Sequence, residues 1–459
     1  MSEALAIETT SPAGPGTPAW PLGKLLAFRV LSCYLALYLV DLFVLSIQFL
    51  IWNPSESFVP KTWLTGYLWA WLVPWVGSHV LHLHSPVAVV DVGADFPFEF
   101  ILRGVELAIA LVAGVAWTVL NRSQRNSAVL LAWLRFGVRV GLAGMMLMYG
   151  EAKLIPMQFG PLTLHRLVRP LGELSPMGML WAFMAASKGY TILCGAVEVL
   201  AGLLLLFPEV SALGAVLAAG AMANVFVLNV FYDVNQKIRS LNYLLLALFL
   251  LAPYVRRLMN VLVWNRPTEP VTNTPLSSRR WIRIAARWLP LAYGLVFLAL
   301  LVPEFHAYSV QQRAQSVHDA NFGVWRATSF TVADPSRPLL TRKLLDQLRP
   351  DAEQYRWKRL IFDANQRALL QFSSGQWDFE RYRTQANPAG GGTQTILTDP
   401  ADPAWKCVLV LQHMPGGQLQ MSGTINGNEV QAVFQREDGE GAYHLADRIH
   451  WFAEGNRDY

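Results

Sequence analysis

Between residues 26 and 304 the chain carries about seven apolar runs, each near the length at which a helix crosses a bilayer. No other feature restricts the fold as much. In hydrocarbon every backbone N–H and C=O must find its partner within the segment, so such runs form helices. They fall at about 26–48, 99–119, 137–155, 179–206, 211–231, 241–260 and 287–304. Overall composition, 53% hydrophobic and 15% charged, averages two unlike parts, because residues 305–459 have the makeup of a soluble domain. The expected architecture is a multi-pass α-helical membrane bundle followed by a small extracytoplasmic antiparallel β barrel or sandwich.

Orientation follows from the arginines. Arg122, Arg125, Arg135 and Arg139 lie between the second and third runs or in the adjoining end of the third. Arg256, Arg257, Arg266, Arg279, Arg280, Arg283 and Arg287 lie between the sixth and seventh or in their adjoining ends. Both segments read as cytoplasmic. Residues 1–25, rich in Pro and Gly, then form a flexible cytoplasmic N-terminus. They lack the basic start and cleavage site of a secretory signal, so the first run stays as a span. Residues 49–98 fall outside and carry Trp52, Trp63, Trp69, Trp71 and Trp75, a headgroup-layer composition. Segment 62–85 reads as a helix on the membrane surface or as an eighth span, with Pro74 and Gly77 against the latter. The formal charge of +5 comes with arginines at span flanks, and no nucleic-acid-reading motif is present. Cys33, Cys194 and Cys407 form no CxxC pair, which argues against a dithiol redox centre.

Beyond residue 305 the periodicity changes to two. KCVLVLQH, QLQMSGTI, EVQAVFQR and AYHLADRIHWF read as strands, and Asn426–Gly427 as a hairpin turn. Asp438–Gly439 reads as a second turn and QANPAGGGTQ as a loop. Trp325, Trp357, Trp405 and Trp451 are expected to share one core. No glycine-rich phosphate loop or nucleophile elbow appears.

Polar residues inside the apolar runs are the candidate site, since charge in hydrocarbon costs several kcal/mol, order of magnitude, which makes an internal polar site the default inference. Glu151, Lys153, Lys188 and Asp233 are candidate acid–base groups. Glu198, Asn224, Asn229 and Tyr232 are candidates for lining a cofactor or ligand pocket. Glu151 and Lys153 are two apart and occupy different helix faces. Lys153 can snorkel outward, whereas Glu151 is expected to face the bundle interior. Lys188 and Glu198 are separated by about 15 Å along a helix. Asn229, Tyr232 and Asp233, at i, i+3 and i+4, are expected to form one patch facing spans three and four, with Asp233 paired to Lys153 or Lys188. Glu198 and Asn224 then form a deeper layer. The competing reading is interhelical hydrogen bonding without a ligand. Arg103 and Glu106 read as a local ion pair. His79 and His82 share a helix face and are weak metal candidates. His165, Arg166 and Arg169 read as a lipid-phosphate contact or a solvated loop.

Three stretches carry a resemblance: YGEAKLIPMQFG, SPMGMLWAFMAASKGYTILCGAVEVLAGLLLLF and ANVFVLNVFYDVNQKIRSLNYLLLALFLLAP. Together, over about residues 140–265, they resemble the DoxX-like family of bacterial integral membrane proteins. The resemblance implies a four-helix core at 137–265, here preceded by two added spans within 26–136. A basic loop and last span (266–304) and the β-rich domain (305–459) follow. It implies the bacterial inner (plasma) membrane, where the C-terminal domain, outside by the arginine reading, is periplasmic or extracellular; the cofactor stays open, with a quinone as the candidate. Gly150–Lys153, the Glu198 region and Asn229–Asp233 match recurrent polar positions of the family, but no catalytic set carries over. A weaker resemblance to the membrane domain of vitamin K-dependent carboxylases implies a lysine base, Lys153 or Lys188, without that family's supporting motif. Three functions stay open: an envelope protein binding lipid or a partner through an outward-facing polar pocket and the β domain; a quinone-linked oxidoreductase subunit; and a transporter of a small solute or ion. Whether the chain is an enzyme stays open with them.

Overall fold

The computed structural model describes residues 20–51, 64–85, 87, 95–121, 127–269, 274–316, 320–334, 339, 356–363, 367–386, 393–399, 402 and 404–437. Among these, seven helical segments are long and apolar enough to cross a membrane. They are contained in α1 (Leu22–Ile51), α3 (Pro97–Leu120), α4 (Ala128–Leu154), α7 (Lys188–Leu206), α8 (Ser211–Phe231), α9 (Lys237–Leu251) with its continuation α10 (Val255–Leu262), and α11 (Arg280–Ser316). Shorter helices are α2 (Leu64–His79), α5 (Leu164–Val168) and α6 (Pro176–Ala186). The protein is a multi-span membrane protein with a C-terminal β domain.

The helices form where the apolar runs predict, with differences at the third and fourth runs. The fourth run, drawn from 179 to 206, is two helices. Ser175 caps α6 by accepting the Gly178 N–H at 3.0 Å, with Pro176 in the first turn. The chain then opens to an extended conformation at Ser187, and α7 starts at Lys188. Lys188 is therefore an exposed helix-start residue rather than one buried ten residues into a span. The third run, drawn from 137, begins earlier as α4, which takes in Arg135 as well as Arg139. Segment 62–85 yields α2, only 16 residues long with Pro74 inside it. It packs on α3 through Trp69, Val73, Phe98 and Leu102.

The main bundle core joins Leu39 and Leu42 of α1, Val138, Leu142 and Met146 of α4, Ala201 and Leu205 of α7, Ala218 and Met222 of α8, Tyr243 and Ala247 of α9, and Phe297 of α11. On the outside, Val112, Leu120, Leu193, Phe231, Leu289 and Val302 are exposed, as a lipid-facing surface requires. Helices α4 and α7 meet backbone to backbone. A Cβ added at Gly195 would lie 2.6 Å from the Gly150 carbonyl oxygen, and one at Gly150 would lie 2.7 Å from that of Gly195. Small residues permit this approach, the usual device where lipid offers no hydrophobic drive between helices.

The β domain is a closed antiparallel barrel of eight strands in sequence order, with β1 pairing β8. The strands are β1 (Gly323–Val332), β2 (Trp357–Asp363), β3 (Arg367–Phe372), β4 (Trp377–Ala386), β5 (Thr393–Thr398), β6 (Cys407–Met414), β7 (Gln418–Ile425) and β8 (Asn428–Arg436). Closure removes unpaired edges. Three of the strand runs read from sequence are β6, β7 and β8. Asn426 and Gly427 both take positive φ, 51° and 78°, which is what a two-residue type I′ hairpin turn demands. Trp325, Trp357 and Trp405 are buried in the barrel core with Phe362, Phe372 and Phe434. Trp451, the AYHLADRIHWF run, Asp438–Gly439, the centre of the QANPAGGGTQ loop, Trp52, Trp63, Arg122 and Arg125 lie outside the described residues.

Residues 157–188, expected within the membrane core, belong to the same compact unit as the barrel. Leu164 and Val168 of α5 cover Val324, Ile361 and Leu369 on the barrel's outer face. This explains why β2 is buried on both faces from Leu360 to Asp363.

Candidate functional site

Buried charge gathers where α1 and α4 finish and where α3, α7 and α9 begin. Lys153 Nζ lies 2.8 Å from Glu198 Oε2, with both side chains almost fully enclosed. The close crossing at Gly150 and Gly195 brings the two helices near enough for this bond. Lys153 also donates to the Tyr149 carbonyl at 3.2 Å and sits 5.3 Å from that ring's centroid. The Tyr149 ring meets Tyr243 edge-on at 5.6 Å, and the Tyr243 hydroxyl donates to Met145 Sδ at 3.1 Å. Arg239, deep in the bundle, hydrogen-bonds Tyr149.

A second group centres on Arg103. Its guanidinium meets Glu99 at 2.8 Å, Glu106 at 2.6 Å and Asp41 at 3.8 Å, and covers the Tyr38 ring at 4.8 Å. The i, i+3 pair read from sequence is thus one arm of a four-charge cluster linking α1 to α3. Asp95 adds a tie between distant segments: its carboxylate accepts the N–H groups of Lys237 and Ile238 at 2.7 and 3.0 Å, capping α9. An acid at a helix start meets both free N–H groups and the positive end of the helix dipole.

The eight candidate residues do not converge. Glu198 joins Lys153 instead of forming a separate layer. Glu151 is buried on another face of α4, against Glu304 of α11. Asn224 is exposed on α8. Asn229 is buried, donating to the Gln236 carbonyl and the Ser240 hydroxyl, both at 3.1 Å, so it closes the α8–α9 turn. Tyr232 ends α8, and Asp233 turns the chain at φ 50°. Asp233 is 78% exposed and pairs with Lys237 at 2.9 Å, not with Lys153 or Lys188. The expected patch at 229–233 is therefore a helix-to-helix turn.

The histidines are also accounted for locally. His79 lies at the end of α2, with Nδ1 3.0 Å from the Trp75 carbonyl and its ring stacked on Trp75. His82 is an exposed residue at φ 51°. Among the described residues no three His, Cys, Asp or Glu side chains are grouped as metal ligands. His165 packs edge-on to Trp377 at 5.1 Å, and Arg166 donates to the Phe159 carbonyl. Burial first, then Arg169 and Arg166, hold the His165 pKa down to about 4, so the ring is neutral near pH 7. This segment is a barrel-facing contact.

At the opposite end the buried cations are treated differently. Arg29 donates to the carbonyls of Trp117 and Asn121 at 3.2 and 3.1 Å, capping α3. Arg139 donates to those of Leu205 and Leu206 at 2.7 and 3.0 Å, capping α7. Asp41, Glu99, Arg239, Arg29 and Arg139 were not singled out from sequence as site residues. A spacing of Glu99, Arg103 and Glu106 at i, i+4 and i+7 marks one helix face and was the available signal.

No known family profile matches the chain, and no solved structure matches it. A segment of 123 residues, 27% of the chain, is 31% identical to "Uncharacterized protein YwoB" of Bacillus subtilis (strain 168) and covers 78% of that protein. With that identity over so much of the relative, the chain belongs to the family of YwoB.

Proposed function

We propose that this is a non-enzymatic membrane protein whose helical bundle, with a DoxX-like core in α4–α9, anchors a β-barrel that binds an acidic protein partner outside the cytoplasm. One observation carries the reading. Arg367 of β3 and Arg381 of β4 stand directly opposite each other in the sheet, and both are exposed. Like charges at facing positions destabilise a sheet. Among the described residues neither arginine has an ion-pair partner, and exposed Arg383 extends the same face. An acidic surface docked here would relieve the repulsion. The filled barrel interior supports recognition on the outer wall.

The test is site-specific photocrosslinking from position 383 of the full chain in native membranes, compared with position 414 on β6. A discrete heterologous adduct at 383, lost in Arg367→Glu/Arg381→Glu while the protein stays monodisperse, is expected. Unchanged crosslinking in that variant refutes the reading. So does a quinone that copurifies at one per chain and whose redox state follows turnover of a substrate.

A further inference from the structure

A cavity of about 500 Å³ opens at the end of the bundle where α4, α8 and α11 begin and α9 finishes. Arg135, Arg139, Arg283 and Arg287 all line it, and no Asp or Glu is among the described lining residues. The arginines' bonds leave an excess of positive charge. Arg139 donates from Nη1 to two backbone carbonyls, which satisfies hydrogen bonds without neutralising the cation. Arg283 likewise donates to the carbonyls of Ser277 and Ser278, at 3.3 and 3.0 Å. Arg287 has an acid partner, Glu209, at 2.5 Å. Arg135 has a buried Nε with no hydrogen-bond partner. Among the described residues, three of the four positive charges therefore have no carboxylate bonded to them.

The remaining wall is amphipathic. Trp20 and Tyr254 provide aromatic surface, and Leu131 and Leu250 provide aliphatic surface. An inorganic cation is excluded by the charge, and a purely apolar ligand would leave the arginines uncompensated. A tetrahedral oxyanion matches the guanidinium donors, which bind phosphate oxygens in pairs. Basic recesses between membrane helices are suited to anionic headgroups, because the acyl chains stay beside the apolar wall.

We propose that this cavity is a phosphate-binding site. The phosphate can come from an anionic phospholipid headgroup or from the free ion, and the two sources are separable by experiment. The purified full chain is placed in nanodiscs of phosphatidylcholine alone or with phosphatidylglycerol, and its thermal midpoint is recorded. Inorganic phosphate is titrated into the phosphatidylcholine sample against sodium chloride of equal ionic strength. Lipid retention is measured in parallel by native mass spectrometry.

A raised midpoint and selective retention with phosphatidylglycerol identify a headgroup as the source. A rise with inorganic phosphate but not chloride identifies the free ion. Arg135→Gln/Arg283→Gln is expected to weaken whichever ligand binds by at least about tenfold, from two charges near the membrane surface. Arg135→Lys, which keeps the charge, is expected to retain most of the binding. Arg139 is left intact because it caps α7. Equal behaviour in both lipids together with no phosphate effect overturns the proposal, and that comparison needs no variant. Binding unchanged in the double variant overturns it as well.

Discussion

The two ends of the helical bundle solve the same problem with different partners. Where α4 finishes and α7 begins, Lys153 meets Glu198, and nearby Arg103 meets Glu99 and Glu106. Where α4 begins and α7 finishes, Arg139 meets backbone carbonyls. An ion pair neutralises both members and ties two helices through their side chains. An arginine on carbonyls ties helices as firmly but keeps its charge. The Lys153–Glu198 pair can therefore be packed shut, while the second end holds positive charge around an open cavity. Pairing at one end argues for mechanical locking; unneutralised charge at the other argues for a ligand.

The strongest way to break this contrast is to cut the buried ion pair. Lys153→Met leaves Glu198 without its cation in a site that excludes water, and Glu198→Leu strands Lys153. Each is expected to cost about 3–5 kcal/mol, the usual penalty for an orphaned buried charge. The double variant Lys153→Met/Glu198→Leu is expected to recover most of that loss, because two apolar side chains fill the space without a charge to solvate. Denaturation in detergent micelles with all four proteins gives the coupling. If the double variant folds stably but an activity is lost, the pair serves chemistry, and mechanical locking is the wrong reading.

At the other end the effect should be smaller. Arg139→Leu removes a charge and two hydrogen bonds, and leaves the Leu205 and Leu206 carbonyls without that donor. About 1–3 kcal/mol is expected, the cost of unsatisfied buried backbone groups. Arg139→Lys should restore part of it, since a lysine reaches carbonyls without the planar fork. The same denaturation assay reads this. A loss as large as that of Lys153→Met would erase the distinction between the two ends.

These partners differ in how far they could be read from sequence. The spans were legible because apolar length alone marks them, and the Asn426–Gly427 turn because only a few residues tolerate its backbone. The Lys153–Glu198 pair was hidden by the break at Ser187: drawing 179–206 as one helix misplaced Lys188, and nothing in the sequence gives the α4–α7 crossing. Arg139 was hidden for another reason. The positive-inside rule explains any arginine at a span's flank, so a buried one looks ordinary. Asp41 and Arg239 are single charges near run ends and carry no pattern of their own. Asn229 was legible as a polar residue of a patch at the end of its span, but not its role, because its partners Gln236 and Ser240 depend on where α8 stops.

The smallest expected effect tests whether burial, and not the presence of an ion pair, sets the behaviour of the Lys153 end. Asp233 and Lys237 lie at the α8–α9 turn and form an i, i+4 pair at 2.9 Å, close to the 2.8 Å of the buried pair. Their environments differ: the Asp233 side chain is 78% exposed, while that of Glu198 is 3% exposed. Water and salt screen the exposed pair, so its net worth is about 0–1 kcal/mol. The substitution must spare the backbone, since Asp233 holds a positive φ that alanine would resist. Asp233→Asn keeps a side chain that tolerates this conformation and removes only the charge. It is expected to change stability by less than about 0.5 kcal/mol, with little dependence on ionic strength once the charge is gone. A cost comparable to that of Lys153→Met would mean that Asp233 has a buried partner in the working protein, and would return it to the candidate site.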